Sequence, residues 1–131
     1  MTRQIVATDR LAPPLGPFSA ASIANGMLYS SGQVALDPAT GQLAAGDVAD
    51  QTSQVLRNIA CVLEAAGCSL ADVVKANVYL ADMKDFAPMN AAYERHFEAP
   101  YPARTTIQAA RLPLGALVEI EVVARLAPAG P

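Results

Sequence analysis

Arg104 and Glu119 are the side chains of this chain whose setting best suits them to chemistry. Arg104 lies in Tyr101-Pro102-Ala103-Arg104-Thr105-Thr106, just after a proline and at the mouth of a predicted strand over Arg104–Ala109. Proline presets an extended approach and pushes the residue before it, Tyr101, out of the helical region. Strand alternation then puts Arg104, Thr106 and Gln108 on one face, with Thr105, Ile107 and Ala109 on the other. A planar guanidinium with five donors, carried on a strand rather than a loop, suits bidentate capture of a carboxylate. By residue type alone, an ordinary surface ion pair is the alternative. With the last two strands as neighbours, Arg104 and Glu119 both stand at strand starts on one sheet. Glu119 then orients or activates a water while Arg104 holds an anionic substrate. The spacing equally allows Glu119 an exposed face.

Other chemistry finds little support. There is no Ser-His-Asp arrangement, no Gly-rich phosphate loop and no metal-ligand spacing. What remains is positioning plus acid–base chemistry without a cofactor. Cys61 and Cys68 read as buried small apolar residues: one sits within a helical pattern and the other just past its end, a poor geometry for a disulfide. With the lone His96 they are too few for a metal site. His96 itself falls on the less apolar side of a helix, where a solvated residue is expected.

The elements that must position these residues follow in order. Arg3–Ala7 is a short candidate strand, and Asp9 to Pro17 is a loop broken by Pro13-Pro14, Gly16 and Pro17. Ser19–Ala24 and Met27–Ser31 flank Asn25-Gly26, a strong hairpin signal. The second of these ends in Ser30-Ser31-Gly32-Gln33, small residues that let a backbone or a ligand approach closely. After a turn at Asp37–Gly41 and a brief strand-like piece at Gln42–Ala44, a helix is predicted over Val48–Ala66. Its apolar stripe is Val48, Thr52, Val55, Leu56, Ile59, Val62, Leu63 and Ala66, with Asp47 as N-cap and Gly67 as the stop. Val73–Leu80 alternates, placing Val74, Ala76, Val78 and Leu80 toward the helices. The opposite face (Val73, Lys75, Asn77 and Tyr79) suits an assembly surface or a site wall. A second helix runs from Asp82 or Asp85 to about Phe97, with Phe86, Met89, Tyr93 and Phe97 inward. Leu117–Leu126 is the last strand, and Ala127–Pro131 reads as a frayed tail. This order predicts an α+β fold, a single domain over 1–131, with two helices on one face of a mixed or antiparallel sheet.

Composition narrows the partners. Of 131 residues, 53% are hydrophobic and 16% charged, which predicts that part of the surface is buried against other copies. The net charge is −3 and no run of Lys or Arg occurs, which argues against nucleic acid as a main ligand. No apolar stretch is long enough to span a bilayer, and the N-terminal residues lack a signal-peptide pattern, so the cytoplasm is the expected location.

Several short motifs occur together and in order: Gly16-Pro17-Phe18-Ser19, Ser31-Gly32-Gln33, Asp37-Pro38-x-Thr40-Gly41, Val55-x-x-Asn58-Ile59 and Glu64-Ala65-Ala66-Gly67. They continue in Asp85-Phe86-x-x-Met89-Asn90, Tyr93, Pro102-Ala103-Arg104-Thr105 and Leu112-Pro113…Glu119-Ile120-Glu121. From about Ile5 to Arg125 the chain resembles the RidA/YjgF family of reactive-intermediate imine/enamine deaminases. The Pro-Ala-Arg-Thr stretch with the downstream Glu-Ile-Glu is the most specific part of the match. The resemblance implies a chorismate-mutase-like fold, a six-stranded sheet with two helices on one face. It also implies a homotrimer with sites in the clefts between subunits. The implied reaction is cofactor-independent hydrolysis of 2-imino acids such as 2-iminopropanoate and 2-iminobutanoate to 2-keto acids and ammonia.

Carried over residue by residue, the resemblance makes Arg104 the clamp for the substrate carboxylate and Glu119 the group that positions the attacking water. Phe18, Ser31, Asn90 and Thr106 fall at pocket positions. Asn90 serves equally well as a helix-to-loop structural bond, and Ser31 as a small residue at a tight strand end. Phe18 stands where many members carry Tyr, and Thr106 where the closest carry Cys. Two other readings remain at this point, beside a weaker holdase-like role that requires an exposed apolar patch on the assembled trimer. One is a trimer that binds small carboxylates or keto acids without turnover. The other is the endoribonuclease or translation-inhibitor role that some family names imply, against which the acidic balance counts.

Overall fold

The computed structural model describes residues 3–127; the predicted tail residues 128–131 lie outside them. Its centre is one six-stranded sheet. The strands are β1 (Gln4–Val6), β2 (Ala21–Ala24), β3 (Met27–Ser30), β4 (Val73–Leu80), β5 (Ala103–Gln108) and β6 (Val118–Arg125). Their spatial order is β1-β2-β3-β6-β4-β5. All pairs are antiparallel except β4 and β5, so the sheet is mixed, as the sequence predicts. The helices are α1 (Val48–Ala65) and α2 (Phe86–Glu94). Six strands with two helices on one face is the predicted fold. The expected strand at Gln42–Ala44 shrinks to a single bridge between Leu36 and Leu43.

The β2–β3 hairpin turns at Asn25-Gly26, both with positive φ, the backbone that this dipeptide tolerates best. Helix α1 begins in a reciprocal capping box: the Asp47 side chain accepts from the Asp50 amide, and the Asp50 side chain accepts from the Asp47 amide. Its buried face matches the predicted stripe except that Ala66 is only partly buried, and it also buries Gln51 and Asn58. Both of these polar side chains are used. Asn58 Nδ2 donates to the Leu36 carbonyl (2.9 Å), and Gln51 Oε1 accepts from the Leu117 amide (2.9 Å). Helix α2 is shorter than predicted, ending at Glu94, yet Met89, Tyr93 and Phe97 are buried as expected. Cys68 is buried, whereas Cys61 is only partly so.

Three departures bear on function. First, β5 and β6 are not neighbours; β4 runs between them. The long connection through α2 returns β5 parallel to β4, and β6 then pairs antiparallel on the other side of β4. Second, the alternation of β4 slips at its start. Val73 is buried and Val74 exposed, the reverse of the prediction, because the β4–β6 register shifts between Val73 and Lys75. From Ala76 onward the predicted facing holds. Third, β3 and β6 change register beyond Tyr29↔Val123, so that Ser30, Ser31 and Gly32 together oppose Glu121 and Val122 before Gln33 pairs with Ile120. Ser30 Oγ accepts the Val122 amide (2.9 Å) that this bulge leaves free.

The core lies between the sheet and the helices. Leu28, Ala76, Val78, Leu80, Val118, Ile120, Val122 and Ala124 meet Val55, Leu56, Ile59, Val62, Leu63 and Met89 there. The other sheet face carries no helix and shows Tyr29, Val74 and Ile107 exposed beside Lys75, Asn77, Tyr79, Glu119 and Glu121.

Gln51 ties α1 to the segment that starts β6. Gln51→Leu leaves the Leu117 amide without its acceptor, an expected cost of about 1–3 kcal/mol in unfolding free energy. Urea denaturation checks this; an unchanged midpoint would show that water replaces the bond.

Candidate active site

Arg104 is in register with Ala76 on β4, and Ala76 with Val122 on β6, so all three side chains stand on the helix side of the sheet. Helix α2 crosses there and supplies the surroundings of the cation. Arg104 Nη2 donates to Asn90 Oδ1 (2.6 Å), and Cζ lies 4.8 Å from the ring centre of Tyr93 and 5.6 Å from that of Phe86. Phe97 stacks on the far side of Tyr93 at 4.5 Å between centroids. Among the described residues no carboxylate lies within ion-pair distance of Arg104. A half-buried guanidinium is thus held by two aromatic faces and an amide, none of which neutralises it. Its charge stays available to an incoming anion.

Thr106 follows on the same face, opposite Val78, and its hydroxyl is buried without a partner, as is that of Tyr93. Burial raises the Tyr93 phenol above its ordinary value, against the opposing pull of the Arg104 charge. Gln108 Oε1 accepts from the Met83 amide (2.8 Å), fastening the end of β5 to the approach to α2. Asn90 therefore makes a structural bond, and the group it holds is Arg104.

Glu119 belongs to a different place. It pairs with Tyr79, and Tyr79 with Ile107, so it points to the helix-free face. Within one chain, β4 separates the two strands by roughly 10 Å, and three residues along β4 add roughly 10 Å more. Arg104 and Glu119 share a sheet, as expected, but stand on opposite faces of it.

Around Glu119 the chain packs closely. A Cβ on Gly32 would fall 2.9 Å from Glu119 Cδ and Oε2, so only glycine leaves the carboxylate where it is. The Ser30–Gly32 bulge brings this backbone over the side chain. Ser31 is occupied structurally: its hydroxyl donates to the Ser19 carbonyl (2.6 Å) and its amide to the Ala20 carbonyl (2.9 Å), pinning the loop that precedes β2. Phe18, on that loop, is half exposed, and its ring lines the same cavity as Glu119. Burial, and then the neighbouring Glu121, raise the Glu119 carboxyl above its ordinary value. Glu121 accepts a hydrogen bond from the Tyr79 hydroxyl, and that phenol is pushed up to about 12.

The cavity beside Glu119 measures about 710 Å³. It is lined by residues of β1 and of the following loop, between Ile5 and Ala20, and by Pro113 and Leu114. Leu114 is in the left-handed region (φ 60°), a strained conformation for a branched-chain residue that costs about 1–2 kcal/mol. Arg10 ties the loop back to Glu64 on α1 through an exposed ion pair (2.6 Å). His96 lines another cavity, which contains neither Arg104 nor Glu119. It is partly buried against α1, with Nε2 3.1 Å from Ser53 Oγ, rather than solvated as predicted. Burial first, then Arg57 and Arg95, push its imidazole below the ordinary value. No group of three metal-ligating side chains occurs among the described residues, nor any helix long and apolar enough to cross a membrane.

The candidate site residues thus form two clusters: Arg104, Asn90 and Thr106 with Phe86 and Tyr93, and Glu119, Phe18 and Ser31 with Gly32. Tyr93 and Phe86 were legible as inward positions of a helix stripe and as members of the family motifs, but not as supports of Arg104. Comparison with known proteins decides the family. A family model described as endoribonuclease L-PSP matches residues 9–126. A 2-iminobutanoate/2-iminopropanoate deaminase of Bos taurus is 44% identical over 124 residues, covering 95% of this chain and 90% of that protein. This chain belongs to the RidA/YjgF family. The RidA structure from an Antarctic Psychrobacter is 42% identical, covers 94% of this chain and 99% of its own, and superposes with a TM-score of 0.90. TdcF of E. coli with bound serine is 36% identical, with coverages of 95% and 99% and a TM-score of 0.88.

A buried carboxyl whose folded-state pKa lies above its unfolded value penalises folding once it ionises. In this RidA-family chain that penalty is absent below the ordinary glutamate range and complete above the raised value. Glu119→Gln is therefore expected to melt higher than wild type at neutral pH, with the gap closing below about pH 4. Thermal scans across pH test it, and a gap that persists unchanged in acid would refute it.

Proposed function

We propose that this protein hydrolyses 2-imino acids, such as 2-iminopropanoate and 2-iminobutanoate, to 2-keto acids and ammonia, at sites shared between subunits of a homotrimer. The observation that carries this reading is the Arg104 cluster, an uncompensated cation ready for a carboxylate. The similarity to named deaminases of this kind supports the reaction, and serine bound to TdcF supports a small amino-acid-like ligand. A net charge of −3 with no cationic run favours a small anion over a polyanion such as RNA.

The opposite facing of Arg104 and Glu119 gives the site its form. One chain cannot direct both groups at one small substrate, whereas two chains packed through their helix-free faces can bring the Glu119 side of one against the β5 edge of the next. Exposed Tyr29, Val74 and Ile107 on that face support burial between copies. Arg104 holds the substrate carboxylate with N–H groups that its bond to Asn90 leaves free, and the Thr106 hydroxyl, unpartnered in the single chain, joins it.

The Glu119 carboxylate accepts a proton from water as the water oxygen bonds to the imine carbon. The C=N electron pair moves to nitrogen, which takes that proton back from Glu119. The C–N bond then breaks as the C=O bond forms, the hydroxyl proton passing through Glu119 to the departing nitrogen, which releases ammonia and the 2-keto acid. Atoms and electrons balance without an oxidant or a cofactor. The raised Glu119 pKa makes it a better proton carrier near neutrality than an ordinary glutamate.

Arg104→Ala and Glu119→Ala are each expected to lower kcat/KM for the alanine imine by about 10²-fold or more. Mixed by unfolding and refolding together, the two variants should regain about a quarter of wild-type activity, because cyclic assembly rebuilds sites with one intact residue from each partner. Failure to complement, with trimers formed, would put both residues in one chain's site or exclude one of them. Gly32→Ala is a milder probe. Its new methyl meets the far end of Glu119, so the side chain swings aside at little cost in stability. An activity loss of about tenfold or more with a melting temperature near that of wild type is expected; unchanged activity would remove Glu119 from the reaction.

A further inference from the structure

In the single chain, before a neighbouring subunit covers its mouth, the cavity beside Glu119 is far larger than the alanine or 2-aminobutyrate imine requires. Its volume of about 710 Å³ lies within the roughly 300–1,000 Å³ that accommodates drug-sized ligands. We infer that it is a side-chain subsite, and that the preferred substrates are 2-imino acids with bulky apolar side chains, branched or aromatic. This inference rests on the deaminase reading above and assigns the substrate class of the same site.

The argument is one of sorting the substituents on the reacting carbon. That carbon carries a carboxylate, a nitrogen and a side chain. The cavity's charged side chains are Asp9 and Glu119, both acidic, and it holds no Lys or Arg. It repels a carboxylate, which goes instead to Arg104 of a neighbouring subunit. The nitrogen and the attacking water need Glu119, at the cavity wall. The side chain is left, and the remaining space is lined mainly by apolar groups, among them Leu11, Leu15, Phe18, Val34, Leu36 and Leu114. Three features keep that space open and apolar. The Ser31 hydroxyl bond to the Ser19 carbonyl fixes the roof where the loop enters β2. Prolines 13 and 14 stiffen the loop. Leu114 is held in a left-handed conformation at the wall, where a glycine would relieve the strain but remove the apolar surface. Burying extra methylenes in such a pocket commonly changes selectivity by about tenfold or more.

The test measures kcat/KM of the full chain on imines of L-alanine, L-leucine and L-phenylalanine. An amino-acid oxidase generates them in the presence of catalase, and semicarbazide captures the imine that escapes the enzyme. The leucine and phenylalanine imines should be hydrolysed with kcat/KM about tenfold above the alanine imine. Ala12→Phe, which projects a ring into the cavity from the loop, should cut the leucine-to-alanine ratio by about tenfold. Should that variant misfold, product binding to the wild type decides: 4-methyl-2-oxopentanoate should bind about tenfold more tightly than pyruvate. A preference for the alanine imine, or tighter pyruvate binding, overturns the inference and leaves the deaminase reading standing. No acceleration of any imine by folded protein overturns both.

Discussion

The position of β6 between β3 and β4 is the constraint from which the rest follows. Pairing on both sides and burying Val118, Ile120, Val122 and Ala124 against the helices, β6 has no freedom to slip by one residue without exposing that whole row. Glu119 and Glu121 are thereby committed to the helix-free face, and every feature near them adjusts to that commitment. The Ser30–Gly32 bulge lets β3 accommodate the Glu119 side chain, and Gly32 is needed because any Cβ there would occupy the carboxylate's place. Tyr79, in register with Glu119, donates its hydroxyl to Glu121 instead. The two carboxylates consequently differ in character: one is engaged by a phenol, and the other is left to titrate.

The same sheet order separates Glu119 from Arg104. With β4 interposed, β5 becomes the edge, and the α2 connection lays Phe86, Asn90 and Tyr93 over Arg104. Aromatic faces attract a cation without cancelling its charge, so they orient the guanidinium at less cost to ligand affinity than a carboxylate would impose. The raised Glu119 carboxyl and the unpaired Arg104 are both unfavourable in an isolated chain. In the proposed assembly each is improved by the other's approach across an interface, with a substrate anion between them. Binding energy and assembly energy would then be drawn from the same groups, a physical reason for a small domain to keep these two side chains on opposite faces.

The apolar cavity extends the Glu119 region. Apart from Ile5 and Val6 of β1 and Glu119 of β6, it is formed by the loop before β2, the bulge after β3 and the turn before β6, none of which is a strand or an α-helix. Such segments are free to vary in shape while the sheet holds Glu119 still, which is how one scaffold can keep a reaction and change its substrates.

Much of this was written in the sequence. The stripe of α1, the Asn25-Gly26 hairpin and the alternation of β6 each declare themselves locally, because burial of one face imposes a period that the residues must obey. The Pro-Ala-Arg-Thr and Glu-Ile-Glu motifs pointed to the family, and the family model covers residues 9–126. The true neighbours were not legible. Adjacent strands in sequence suggested adjacent strands in space, yet the α2 crossover made β5 an edge and sent Arg104 and Glu119 to opposite faces. Periodicity also could not reveal the register slip at Val73–Lys75, the bulge at Ser30–Gly32, or the buried uses of Gln51 and Asn58. Local sequence determines which face of an element is apolar, since that depends on residues within one or two turns. Which elements meet, and which polar groups find one another, is decided by long-range pairing that only the folded chain establishes.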